Sequence, residues 1–207
     1  MARLRALAGL VGPAAFTAAW VVAQRRQGDY DVVHEHISGL AAPDADDPHV
    51  MTMGFLALGT CTVVFASELD RRLGGGRRSG WGPALIGVTG LTTLAAGVFR
   101  RDRRSNFPAP DESPGQSWTN DVHDAAAMLG GVAGAAGLLA LARRFAGDPE
   151  WRGLALPAVS AATAGSGLTG WFLRDVVRPG NGLVQRASVS IPLAYMAKVA
   201  LRMLRDG

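Results

Sequence analysis

The residues able to do chemistry fall into five short stretches. In Tyr30-Asp-Val-Val-His34-Glu-His36, a His-x-His pair sets two imidazoles on one side of an extended segment. That arrangement suits a divalent cation once a third ligand arrives, and His123, Asp124 or Asp102 would supply it. The competing role for both histidines is to anchor a loop through hydrogen bonds. The second and third stretches are near copies, Gly97-Val-Phe99-Arg-Arg101-Asp102 and Gly170-Trp-Phe172-Leu-Arg174-Asp175. An arginine closing a helix meets the negative end of its dipole, but an aspartate there is unfavourable unless paired. Each Arg-Asp therefore reads as a structural ion pair or as a pair facing a substrate.

The fourth stretch, Trp118-Thr-Asn120-Asp121-Val-His123-Asp124, opens an apolar run. Asn120 or Asp121 is the expected N-cap. His123 lies one turn into that helix, where an imidazole needs a partner or a wet cavity. The fifth is Gly182-Leu-Val-Gln185-Arg186. A cation near a helix N-terminus is repelled by the dipole, so Arg186 calls for an anion. Asp102, Asp175 or the phosphate or carboxylate of a ligand would provide one.

The elements that position these groups are long and apolar. Residues 6–23, 50–67, 79–99, 125–142 and 153–173 carry no charge over runs of 18 to 21 residues. A soluble helix needs a charged face, so runs of about 18 or more read as bilayer spans. A sixth run, 183–204, is interrupted by Arg186, Lys198 and Arg202. The fold class is all-α, a polytopic membrane protein built as one six-transmembrane-helix bundle over residues 1–207. Its spans are expected near 6–24, 49–67, 80–99, 121–142, 153–173 and 183–204. The first run exceeds a signal peptide's usual apolar core, so it is expected to be retained. Mean hydropathy is only +0.15 because Gly (27) and Ala (35) are abundant and the loops are crowded with Arg. Small residues every three or four positions let spanning helices approach closely.

Orientation follows from the basic residues. With both termini in the cytoplasm, 12 Lys and Arg fall inside and 9 outside, and the inner loops are the shorter ones. That topology sends all 4 histidines and 12 of the 17 acids to the outer side. The net charge of +4 does not indicate nucleic acid, because the arginine pairs (25/26, 71/72, 77/78, 143/144) flank the spans as headgroup anchors. Gly74-Gly-Gly76 lacks the Lys-Ser/Thr of a phosphate loop, and no Gly-x-Ser-x-Gly or His-Glu-x-x-His occurs. Cys61, the single cysteine, reads as a small packing residue.

Several of these features together resemble a bacterial six-helix membrane family catalogued as domain of unknown function 998. They are Ile37-Ser-x-Leu40, Met51 and Gly54-Phe55 entering the second span, and the Gly97-x-Phe99 to Asp102 exit. His123 and Gly182-Leu183-x-Gln185-Arg186 complete the set. The resemblance implies a six-helix bundle and brings no activity. His34-Glu35-His36 and a Pro- and acid-rich insert, residues 103–119, depart from its pattern.

The leading functional expectation is an outward-facing site for an amphiphile, a lipid or isoprenoid with a polar or anionic head. Arg186, Arg174 and Arg101 would hold the head, with Asp175, Gln185, His34 and His36 beside it. His123 with Asp102 or Asp124 would act as acid and base. An enzyme so equipped would perform hydrolysis or acid-initiated rearrangement of a lipid-like substrate. The alternatives are a non-catalytic structural or regulatory bundle and, less favoured, a small transporter. No cofactor is expected, with a divalent metal on His34, His36 and His123 as the minor alternative. The expected partners are membrane lipids, and the expected location is a cell membrane, the bacterial inner membrane.

Overall fold

The computed structural model describes residues 1–74, 80–103 and 117–205. It holds six long helices, α1 (Ala2–Arg26), α2 (Pro48–Arg72), α3 (Gly82–Val98), α4 (Trp118–Ala146), α5 (Ala155–Arg174) and α6 (Asn181–Arg205), with 3-10 turns at Ile37–Ala41 and Arg152–Leu154. No strand occurs among the described residues. Most of the 103–119 insert, along with residues 75–79, lies outside them.

Local sequence explains where the helices start and stop. Pro48 and Pro83 sit in the first turns of α2 and α3, where a missing N–H costs nothing. Ser117 caps α4 by accepting a hydrogen bond from the Asn120 N–H. The cap is thus Ser117 and not Asn120 or Asp121, and the helix begins three residues ahead of the expected span. Asn120 is left free to bond sideways. Arginines fill the last turns of α1, α2, α4, α5 and α6, favourably placed against the helix dipoles.

Each helix packs against its neighbours in the chain, and α6 closes on α1, giving a ring of six alternating helices. Both chain ends lie at one end of the bundle, called here the terminal end, and the 27–47 loop lies at the distal end. Close approach depends on small residues. A Cβ on Gly59 would come within 2.7 Å of the Gly90 carbonyl oxygen, and one on Gly90 within 2.8 Å of the Gly59 oxygen. The α2–α3 crossing is therefore closed to any side chain at either position.

The distribution of apolar side chains is that of a protein in lipid. On α4, Ala126, Gly130, Ala133 and Gly137 are buried, while Leu129 and Val132 are 55% and 63% exposed. Large apolar groups facing outward while small ones pack inward suits hydrocarbon, where van der Waals contact replaces the hydrophobic drive. Four helices, α1, α2, α4 and α6, are long and apolar enough to cross a membrane, and α3 is apolar but shorter. The larger core, with Phe65, Leu69, Leu141, Phe145, Val199 and Met203, fills the terminal half. A smaller one, with Phe16, Met51 and Leu58, fills the distal half. The 3-10 turn joins the distal core through Ile37, Leu40 and Ala41, so the 27–47 loop plugs the distal mouth of the ring.

Candidate functional site

The plug brings the 27–47 loop against the start of α6. Ile37 N–H donates to Gln185 Oε1 at 2.7 Å, and Leu183 N–H donates to the Val33 carbonyl at 3.3 Å. Contact this close requires Gly182. A Cβ there would lie 2.5 Å from the Glu35 carbonyl oxygen, 2.7 Å from that of Val32 and 2.8 Å from that of Val33.

Arg186, 7% exposed, lies under the same loop. Its Nη1 donates to the carbonyls of Val32 (3.0 Å), Glu35 (2.8 Å) and Gly182 (2.9 Å), and its Nη2 to the Tyr30 hydroxyl (2.8 Å). The guanidinium carbon lies 5.4 Å from the Trp20 ring centroid and 5.6 Å from that of Tyr30. Among the described residues Arg186 has no ion pair with Asp102 or Asp175. Backbone dipoles and aromatic faces take the place of the expected carboxylate. Its Nε is buried and has no hydrogen-bond partner among the described residues.

His34 and His36 part company. His34 stays at the loop surface, its Nδ1 2.7 Å from Asp31 Oδ2. His36 is 2% exposed, and its ring meets the Phe172 ring edge-on at 6.4 Å. The Gly39 N–H donates to His36 Nδ1 at 3.3 Å. In a neutral ring that fixes the proton on Nε2, and this N–H is buried without a partner. Burial first, and then the charges of Arg101 and Arg186 with His123 nearby, push the His36 pKa down to about 3. His36 is therefore a neutral donor at physiological pH.

His123 projects from α4 into the exit of α3. Its Nδ1 lies 2.8 Å from the Ala96 carbonyl and 2.9 Å from that of Phe99. Two acceptors require the proton on Nδ1, so the ring locks the α3 C-terminus to α4. Phe55 meets it edge-on at 6.0 Å, and Phe16 in turn meets Phe55 edge-on at 5.3 Å, which ties this corner to the distal core. Asp102 fastens the same exit. Its carboxylate accepts from Ser117 N–H at 2.7 Å and from the Ser117 hydroxyl, while its own N–H donates to Asn120 Oδ1 at 3.1 Å. Asn120 Nδ2 donates on to Asp124 at 3.0 Å. The Ser117 bonds hold the Asp102 carboxyl below the ordinary carboxylate range, so it stays ionised. Both its oxygens are engaged in this clasp.

Arg101, beside the clasp, is half-buried, with its Nε buried and without a partner among the described residues. Burial lowers its pKa, against the opposing charges of Asp124 and Asp102. Arg174 and Asp175 are exposed, and Asp175 Oδ1 accepts from the Val177 N–H in a local turn. The sequence copies thus separate, Arg101 lying inside and Arg174 outside. Among the described residues no group of three His, Cys, Asp or Glu side chains is gathered as a metal would need. His34, His36 and His123 do not form such a group.

Over residues 10–202 the sequence matches the family described as Protein of unknown function (DUF998). The chain belongs to that family. No curated protein and no solved structure matches it. The matched span of this DUF998 protein holds every residue of the distal cluster, from Tyr30 to Arg186. Sequence reasoning missed Trp20, Tyr30, Ser117, Asn120 as a linker, and Asn181. Asn181 Nδ2 donates to the Phe172 carbonyl at 3.2 Å and to that of Asp175, closing the α5–α6 turn. Its only sequence signal was a position just ahead of Gly182.

Proposed function

We propose that this DUF998 protein is a six-span membrane protein, with both termini in the cytoplasm, that holds the anionic or polar head of a membrane amphiphile at its distal end. The observation carrying this reading is the set of buried N–H donors without acceptors among the described residues: His36 Nε2, Arg101 Nε and Arg186 Nε. Arg101 and Arg186 both lie close enough to His36 for their charges to bear on its ring. A buried donor without a partner costs about 1–3 kcal/mol, more when charged. Three around one corner fit an acceptor oxygen carrying negative charge. A phosphate or carboxylate head would supply it, and the tail would lie along the apolar outer surface of the helices.

The reading is of binding, with Arg101, Arg186 and His36 as the contacting groups. His123 and Asp102 belong to the scaffold, since their bonds go to the ends of α3 and α4. The test is saturable binding in neutral detergent of short-chain phosphatidylglycerol against phosphatidylcholine. The anionic lipid should bind at least about tenfold more tightly, and Arg101→Gln should remove most of the difference. Equal affinity for the two lipids would refute the site. Topology is tested separately. With Cys61 replaced by Ala, a cysteine at Asp29 should react with an impermeant reagent on intact cells, and one at Arg152 only after lysis.

A further inference from the structure

The distal corner presents an unmatched acceptor as well as unmatched donors. Asn181 is 1% exposed, and its Oδ1 has no hydrogen-bond partner among the described residues. Its orientation is fixed, because the amide nitrogen satisfies the carbonyls of Phe172 and Asp175 and a flipped amide would set oxygen against oxygen. Asn181 is next to Gly182, the residue pressed against the backbone of residues 32–35. Phe172, whose carbonyl it caps, carries the ring packed on His36. Through Phe172 and Gly182 this fixed acceptor is joined to the segments that carry the His36 and Arg186 donors.

An anion alone satisfies the donors and leaves this oxygen unmatched. A second anionic oxygen would be repelled by it. A hydroxyl would donate to it. We infer that the head held here carries a hydroxyl group beside its negative charge, as a polyol phosphodiester does. The inference rests on the head-binding reading above and names the chemical class of that head. Asn181 then selects among anionic amphiphiles, while Arg101 and Arg186 select for charge.

The probes are dihexanoyl phosphatidylglycerol and dihexanoyl phosphatidylpropanol, which share charge, phosphodiester and chain length and differ by two hydroxyls. Affinities are measured in neutral detergent on the whole protein, with zwitterionic dihexanoyl phosphatidylcholine as the reference without net charge. The glycerol lipid should bind at least about fivefold more tightly than the propanol lipid. In Asn181→Ala that ratio should fall to about one, while the preference of both anionic lipids over phosphatidylcholine persists. Should Asn181→Ala fail to fold, the wild-type ratio decides by itself. A wild-type ratio near one, with both anionic lipids still preferred, overturns the hydroxyl inference and leaves the anion site standing. No preference for either anionic lipid overturns both.

Discussion

Arg186 meets Glu35 through the Glu35 main-chain carbonyl, which accepts from Nη1 at 2.8 Å. Four oxygens from two parts of the chain, the 30–35 loop and the start of α6, converge on one guanidinium, and none is a carboxylate. The loop over residues 30–36 is therefore pinned by a planar, multi-donor cation.

Lysine cannot replace that fork, since its three donors radiate from one point. Arg186→Lys should keep the charge and lose part of the hold, lowering stability by about 1.5–3 kcal/mol. Chemical denaturation in detergent measures the loss. Limited proteolysis should show new cleavage near residues 30–36. Unchanged stability would mean that the carbonyl contacts contribute little.

The second prediction concerns acid. His36 has an ordinary pKa of 6.5 and a folded value pushed down to about 3 by burial and by the charges of Arg101 and Arg186, with His123 nearby. As pH falls through about 6.5 the unfolded chain takes up a proton that the folded chain refuses. The contribution of this group is complete above that value and is lost progressively toward pH 3. The slope is about 1.4 kcal/mol per pH unit for one proton. His36→Gln should flatten the stability profile between those limits, as read from melting temperatures at several pH values. Parallel profiles for the two proteins would contradict the assignment.

Much of the helical framework was legible because charge and lipid do not mix. Four of the five long charge-free runs end inside a helix that continues into an arginine-bearing end, and the fifth covers α3. What was not legible was the direction of side chains at those ends. Gly97-Val-Phe99-Arg-Arg101-Asp102 and Gly170-Trp-Phe172-Leu-Arg174-Asp175 share four of six residues. Yet α3 ends at Val98 and α5 at Arg174. Arg101 therefore rides on an extended segment that turns back inside, and Arg174 stays on the outer face of a helix. No local pattern encodes where a helix stops when the next segment is captured by a distant partner, here Ser117 and Asn120 for Asp102.

His34 and His36 teach the same lesson at shorter range. A spacing of two puts side chains on one face only where the backbone is extended. Residues 31–35 instead turn, with the Glu35 N–H donating to the Asp31 carbonyl at 2.7 Å. Asp31 captures His34 at the surface, and the plug carries His36 inward.

The third prediction separates scaffold from chemistry at the α3–α4 clasp. Asp102 accepts both the N–H and the hydroxyl of Ser117, and Ser117 in turn caps α4. Asp102→Asn and Ser117→Ala should each lower the melting temperature, and the double variant should be no worse than the more damaging single one. Because the folded pKa of Asp102 is depressed, its contribution is present above about 3.8 and lost as pH falls below it. Lipid binding at neutral pH should survive in whatever fraction stays folded. Loss of binding with unchanged melting would instead place Asp102 in the site.

The last prediction uses the tightest approach at the distal end. A methyl group at Gly182 would meet three main-chain oxygens, those of Glu35, Val32 and Val33, at 2.5–2.8 Å. Main chain cannot swing aside as a side chain can, so Gly182→Ala must lift the loop off α6. Overpacking of this kind costs about 1–3 kcal/mol. Gly131 is the control, because a Cβ there meets nothing within 4 Å and the residue lies inside α4. Gly131→Ala should be neutral or stabilising by about 0.5–1 kcal/mol through helix propensity. Two of the oxygens struck by the Gly182 methyl, on Val32 and Glu35, are the same ones that Arg186 holds. The two perturbations therefore act on one contact. Gly182→Ala combined with Arg186→Lys should cost less than the sum of the two singles, and strict additivity would show that the loop has a second, independent anchor.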